Sequence, residues 1–104
     1  MLFRSPPHSR LIEISLRNKS EDLVHEAAQR FFVLLRNRLE GRVHGPHIPV
    51  VSRIRNQYYR TMLIRIPREE AVTAAKMAYR ESLKEFYQEK MFASVQVIPD
   101  VDPA

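Results

Sequence analysis

The chain contains no cysteine. Disulfides and thiolate metal ligands are therefore excluded, and the composition suits a reducing, cytoplasmic setting. Glycine occurs only twice, at Gly41 and Gly45. A Walker A loop or a dinucleotide fingerprint needs more glycines than that, at other spacings, so phosphate-loop catalysis is excluded within this chain. Long apolar runs are also missing, and none approaches the roughly 20 residues that cross a bilayer. Met1-Leu2-Phe3-Arg4 passes straight into Ser5-Pro6-Pro7. Without an apolar stretch behind those residues, the N-terminus does not read as a signal peptide.

What remains is 104 residues with 44% hydrophobic content, enough for one domain around one core. The charge is +5, from 17 Lys and Arg against 12 Asp and Glu. Arginine supplies most of the cations, and its planar guanidinium matches phosphate and carboxylate. A basic balance of this kind favours a polyanionic partner, nucleic acid first among them. A basic domain that is merely soluble has the same composition.

Hydrophobic periodicity lays out the elements. Residues 1–9 read as a lead-in, and 10–104 as the domain. Leu11 to Arg17 alternates, with Ile12, Ile14 and Leu16 on one side and Glu13, Ser15 and Arg17 on the other, as a half-buried strand does. Asn18 or Ser20 caps a helix whose apolar stripe runs Leu23, Ala27, Phe31, Leu34 and Leu35. Gly41 is the expected stop. A short extended segment follows around Gly45-Pro46. Val50 to Arg55 is extended, Asn56-Gln57 turns, and Tyr58 to Ile66 is a strand with Met62, Ile64 and Ile66 on one face. A second helix starts near Pro67-Arg68, with the stripe Val72, Ala75, Tyr79, Leu83 and Phe86. Phe92 to Ile98 is a last strand before an Asp100-Val101-Asp102-Pro103 tail. The order βαββαβ predicts an α+β, ferredoxin-like fold: a four-stranded sheet with both helices on one face.

Few residues suggest catalysis. His44 and His47, with His8 and His25, lack the acidic neighbours of a metal site, so no metal or cofactor is expected. Ser52 has no elbow motif, and Asp100 with Asp102 sits in a terminal tail. Lys76, Arg80 and Lys84 on the second helix are interleaved with Glu81, Glu85 and Glu89, which reads as a solvated face laced by local ion pairs. The concentrated feature is a hairpin. Arg53, Arg55, Tyr58, Tyr59, Arg60 and Arg65 lie within thirteen positions. Arginines hold phosphates and tyrosine rings stack on exposed bases, so Arg53, Arg55 and Arg60 are the expected phosphate contacts. Tyr59 is the expected stacking residue, and Arg65 shares its face. The same residues equally suit a soluble sheet edge or a protein-docking surface. Tyr58 and Arg60 fall on the core-side parity, which suits Arg60 only if that end of the strand runs past the helices.

Gly45-Pro46, Pro49, Arg53, Tyr59-Arg60, the apolar strand Met62–Ile66 and the closing Asp100-Val101-Asp102-Pro103 occur in one order along the chain. Phe3, Pro6-Pro7 and Arg10-Leu11-Ile12 precede them. This ordered set resembles the C-terminal domain of PriA, the bacterial primosomal protein N′, a replication-restart DNA helicase. The resemblance covers essentially the whole chain. It implies that Met1 is an engineered start, that the chain is one domain of a longer helicase, and that ATP hydrolysis and zinc binding belong to other regions. It further implies contact with forked or single-stranded DNA, with the remaining helicase domains, and with single-stranded DNA-binding protein and other primosome proteins. The family meets the tail of single-stranded DNA-binding protein through basic residues near the start of the last helix, where only Arg68 of Arg68-Glu69-Glu70 matches. Two departures stand out: Ser5-Pro6-Pro7-His8 replaces an aromatic-rich junction, and Pro99 occupies a strand position.

Overall fold

The computed structural model describes residues 9–67 and 72–101. Strand β1 (Ser9–Asn18) leads into helix α1 (Glu21–Leu39), followed by β2 (Val43–His47), β3 (Arg53–Ile54), β4 (Gln57–Pro67), α2 (Val72–Tyr87) and β5 (Gln96–Val101). The expected lead-in falls outside the described residues up to residue 8. So do Arg68-Glu69-Glu70 and the end of the tail from Asp102.

Ser20 is the N-cap of α1, accepting from the Leu23 backbone N–H, and the Asn18 side chain accepts from the Ser20 N–H. Both polar residues are thus used, one as cap and one to fix the approach to it. The helix does not stop on Gly41. Glu40 takes a positive φ of 52°, with ψ −126°, and its N–H donates to the Arg36 carbonyl. Gly41 lies in the following 3-10 turn (Glu40–Arg42).

The sheet is antiparallel, in the order β2-β4-β1-β5, with β3 paired to β4 beside β2. It therefore has five strands where four were expected. The extra strand arises because the chain entering the hairpin pairs only at Arg53 with Tyr58 and Ile54 with Gln57. The last strand is also displaced. Phe92 ends a 3-10 turn and Val95 is buried before the strand begins at Gln96. Pro99 lies within β5, an edge strand bonded only to β1, where a missing N–H need not break the ladder.

Ile12, Ile14 and Leu16 of β1 share one face with Met62, Ile64 and Ile66 of β4. Helices α1 and α2 pack on that face and on each other through Val24, Ala28, Phe31, Leu35, Ala75 and Phe86. Phe31 meets the Tyr79 and Phe86 rings edge-on, and Phe86 stacks on Phe92 at 4.8 Å between centroids. Each such buried side chain contributes about 1.5–3 kcal/mol of transfer free energy. Arg38 of α1 pairs with Glu85 of α2 at 2.9 Å, and Arg30 of α1 pairs at 2.6 Å with Glu89, two residues beyond α2. Glu85 and Glu89 therefore reach across to α1 instead of pairing locally. The opposite sheet face carries Glu13, Ser15 and Arg17 of β1 beside Leu63, Thr61 and Tyr59 of β4, and among the described residues no helix packs on it.

Candidate nucleic-acid interface

The hairpin turns on Arg55 and Asn56, one residue earlier than the sequence suggests. Both adopt the left-handed region, with φ 52° and 65°. Two such residues between paired strands form the mirror-image turn whose twist matches that of β-strands. Asn accepts this conformation through its short polar side chain, whereas an arginine is strained there. Arg55 is thereby held exposed at the tip.

Arg53 lies opposite Tyr58, and its guanidinium stands 5.3 Å from the Tyr58 ring centroid. Its Nη2 also donates to Asn56 Oδ1 at 3.1 Å. These contacts hold the arginine against the hairpin while leaving it exposed. Tyr59 points to the helix-free face, half-buried, and Arg65 is exposed further along that face opposite Leu11. The hairpin thus splits its cations: Arg53 with Tyr58 on one side, Tyr59 and Arg65 on the other, and Arg55 at the tip.

Arg60 does not join them. It is only 5% exposed, on the core-side face opposite Leu16. Its Nη1 donates to the Tyr59 carbonyl and its Nη2 meets Glu21 Oε2 at 3.3 Å. The strand does not run past the helices at this position; α1 begins over it and supplies the countercharge. A buried guanidinium already bonded to a carboxylate has little surface to offer a phosphate, unlike the exposed Arg53 and Arg55.

Arg17 is the residue that sequence reasoning missed. It lies between Tyr59 of β4 and Gln96 of β5 on the helix-free face. Its Nη1 donates to the Tyr59 hydroxyl at 3.2 Å and its Nε to Gln96 Oε1. The alternation of β1 placed Arg17 outward, but Gln96 is 79 residues away, and no local signal connects them. Asn18 follows, donating from Nδ2 to the Ser94 carbonyl at 3.0 Å and to Ser94 Oγ at 3.1 Å.

The other sequence candidates stay dispersed. His44 and His47 are exposed on β2, and His25 is exposed on α1. Among the described residues no three His, Asp or Glu side chains converge as metal ligands. The Ser52 carbonyl accepts from the Tyr59 N–H at 2.8 Å, a link that closes the hairpin base. Asp100 lies exposed on the edge strand β5 opposite Glu13. Between α2 and β5 runs a groove of about 300 Å³, with Ile12, Tyr79, Pro99 and Val101 below and Lys76 and Arg80 at its rim. Among the described residues no helix is long and apolar enough to cross a membrane.

Fold and surface define a small basic α+β domain with exposed cations on its helices and at the hairpin, where Arg53 and Arg55 stand close together. Residues 1–104 match the family of the primosomal protein N C-terminal domain, and the chain belongs to that family. Its setting is accordingly the primosome and the restart of DNA replication. A comparison with curated proteins gives no match.

Proposed function

We propose that this domain gives a cytoplasmic replication-restart helicase contacts to forked or single-stranded DNA, and docks other primosome proteins, without catalysis of its own. On this reading the fold is a ferredoxin-like split βαβ plan, elaborated by β3, that presents the hairpin as a basic projection. The observation that carries the reading is Arg55, an exposed arginine held at φ 52° on the turn beside Arg53. Strain maintained at an exposed cation points to use of that cation. Arg53 and Arg55 make phosphate contacts, Tyr59 stacks on an unpaired base, and Arg65 extends the contact along the sheet.

The experiment is fluorescence anisotropy of the 104-residue chain with forked, single-stranded and duplex DNA at two salt concentrations. Arg53→Ala with Arg55→Ala weakens binding and lowers the salt slope by about 2, roughly one unit per phosphate contact. Unchanged affinity and slope in that double variant overturn the hairpin assignment.

A second reading rests on a separate observation. Ile48, Val50, Val51 and Ile54 are exposed next to the same arginines. Adjacent apolar side chains in water favour burial against another protein surface. On that reading the hairpin packs on the remaining helicase domains, and the isolated chain binds DNA negligibly. The groove between α2 and β5, apolar below and cationic at its rim, suits docking of a partner such as single-stranded DNA-binding protein in either case.

A further inference from the structure

At the end of the sheet, Arg17, Asn18, Lys19, Gln57, Ser94 and Gln96 line a groove of about 260 Å³. We infer that this groove is a second phosphate site, distinct from the hairpin arginines, that takes a phosphodiester of the same DNA. The inference rests on the DNA-binding reading above and adds the path the backbone follows.

The lining determines the class of ligand. Among the described residues it holds two cations and four neutral hydrogen-bonding side chains, and no carboxylate. An anion with several acceptor oxygens satisfies such a set; a cation or an apolar group does not. Two nearby acids, Glu21 and Asp22, open α1 on the opposite, helix-bearing side of the sheet, where Glu21 is bonded to Arg60.

The groove is organised before any ligand arrives. Arg17 is fixed between Tyr59 and Gln96, and Asn18 is fixed to Ser94. These bonds occupy two of the five guanidinium N–H groups of Arg17, and the rest of the fork serves an incoming oxygen. Side chains locked by neighbours lose little freedom on binding. Lys19 is exposed beyond the strand end and adds a second charge.

Position links the groove to the hairpin. Tyr58 pairs with Asn18 on one side and with Arg53 on the other. Neighbouring strands lie about 4.8 Å apart, so the Asn18 and Arg53 backbones are separated by roughly 10 Å. One duplex strand advances about 3.4 Å per phosphate, so roughly three phosphates cover that distance. DNA laid across the end of the sheet therefore reaches Arg17 and Lys19 at one side and Arg53 and Arg55 at the other.

The test compares three forms of the 104-residue chain by anisotropy with forked and single-stranded DNA across a salt series: unaltered, Arg53→Ala with Arg55→Ala, and Arg17→Gln with Lys19→Ala. The groove variant is expected to lower the salt slope by about 2. Lys19→Ala alone lowers it by about 1, and at an exposed position this change leaves the fold intact even if loss of Arg17 does not. Titration of inorganic pyrophosphate, followed by amide NMR, is expected to shift Lys19, Ser94 and Gln96 in the unaltered chain and not in the groove variant. If the hairpin variant loses affinity while both groove variants match the unaltered chain, the inference is overturned and the DNA-binding reading stands. Loss confined to the groove variants supports the inference and overturns the hairpin assignment. If the unaltered chain binds no DNA at low salt, both are overturned.

Discussion

The Arg60 guanidinium lies beneath the first turn of α1 and meets the Glu21 carboxylate at 3.3 Å, with its Nε buried and without a partner among the described residues. The pair is lopsided, because Arg60 is nearly inaccessible while Glu21 is more than half exposed. Desolvation of the arginine therefore offsets much of the attraction, and an apolar residue of similar length fits the site at least as well. Arg60→Met is expected to leave thermal stability unchanged or raised and DNA binding intact. Glu21→Ala instead strands the buried charge and costs about 1–2 kcal/mol. Thermal melts of both variants check this, and a drop in DNA affinity for Arg60→Met would return Arg60 to the interface.

Arg55 separates stability from binding. A left-handed φ costs a residue with a Cβ about 1 kcal/mol or more relative to glycine. Arg55→Gly is therefore expected to stabilise the hairpin by roughly that amount while removing one cation. The melting temperature rises and the DNA salt slope falls by about 1. A variant that is stabilised with an undiminished slope indicates that the turn cation does not touch DNA.

Alkaline pH should destabilise the domain through two tyrosines. Burial raises the Tyr79 phenol above its ordinary value, and the neighbouring Tyr87 adds to the effect. Tyr87 is raised chiefly by burial, partly offset by a hydrogen bond from the Val97 backbone. Its hydroxyl also donates to the Val95 carbonyl at 2.5 Å, a bond the phenolate cannot make. In the unfolded chain both groups titrate near pH 10. Below that pH both states keep the protons, and the contribution to stability is complete. Above it the unfolded state loses protons first, so stability falls as pH rises toward the folded-state values. Melts between about pH 9 and 11 are expected to show this fall, and Tyr79→Phe with Tyr87→Phe to flatten it.

Much of the fold was legible because alternation and helical spacing survive in single sequences. The face set by Ile12, Ile14 and Leu16 against Met62, Ile64 and Ile66 is the one the helices cover. The misreadings have two causes: a neighbouring residue took the role, or the partner lies far away in sequence. Glu40 took the positive φ expected of Gly41. Phe92 and Val95 are buried by a 3-10 turn and the bend after it, not by strand pairing, which moved the last strand to Gln96. At the site, Arg53 and Arg55 were visible as exposed cations of a hairpin. The burial of Arg60 was not legible, because its partner Glu21 is 39 residues away. Arg17 was overlooked for the same reason, since pairing with Gln96 is set by topology and not by local pattern.

At Gly45 both backbone conformation and packing resist a side chain. It lies in β2 between His44 and His47, where the pairing with β4 slips, and its φ is +123°. That conformation is strained for every residue with a Cβ. A Cβ built there would stand 3.1 Å from Met62 Cβ and 3.1 Å from the Thr61 carbonyl oxygen. Met62 is fully buried under the helices and Thr61 is held in the ladder, so neither can retreat without moving β4. Gly45→Ala should therefore cost about 2–3 kcal/mol. For a domain of this size that corresponds to a fall in melting temperature of roughly 10–20 °C. Gly41→Ala is the control, because a Cβ at Gly41 meets nothing within 4 Å, and it should melt close to the unaltered chain. Equal melting of the two variants would show that β4 yields to the added methyl and that the slip in β2 is not fixed by this contact.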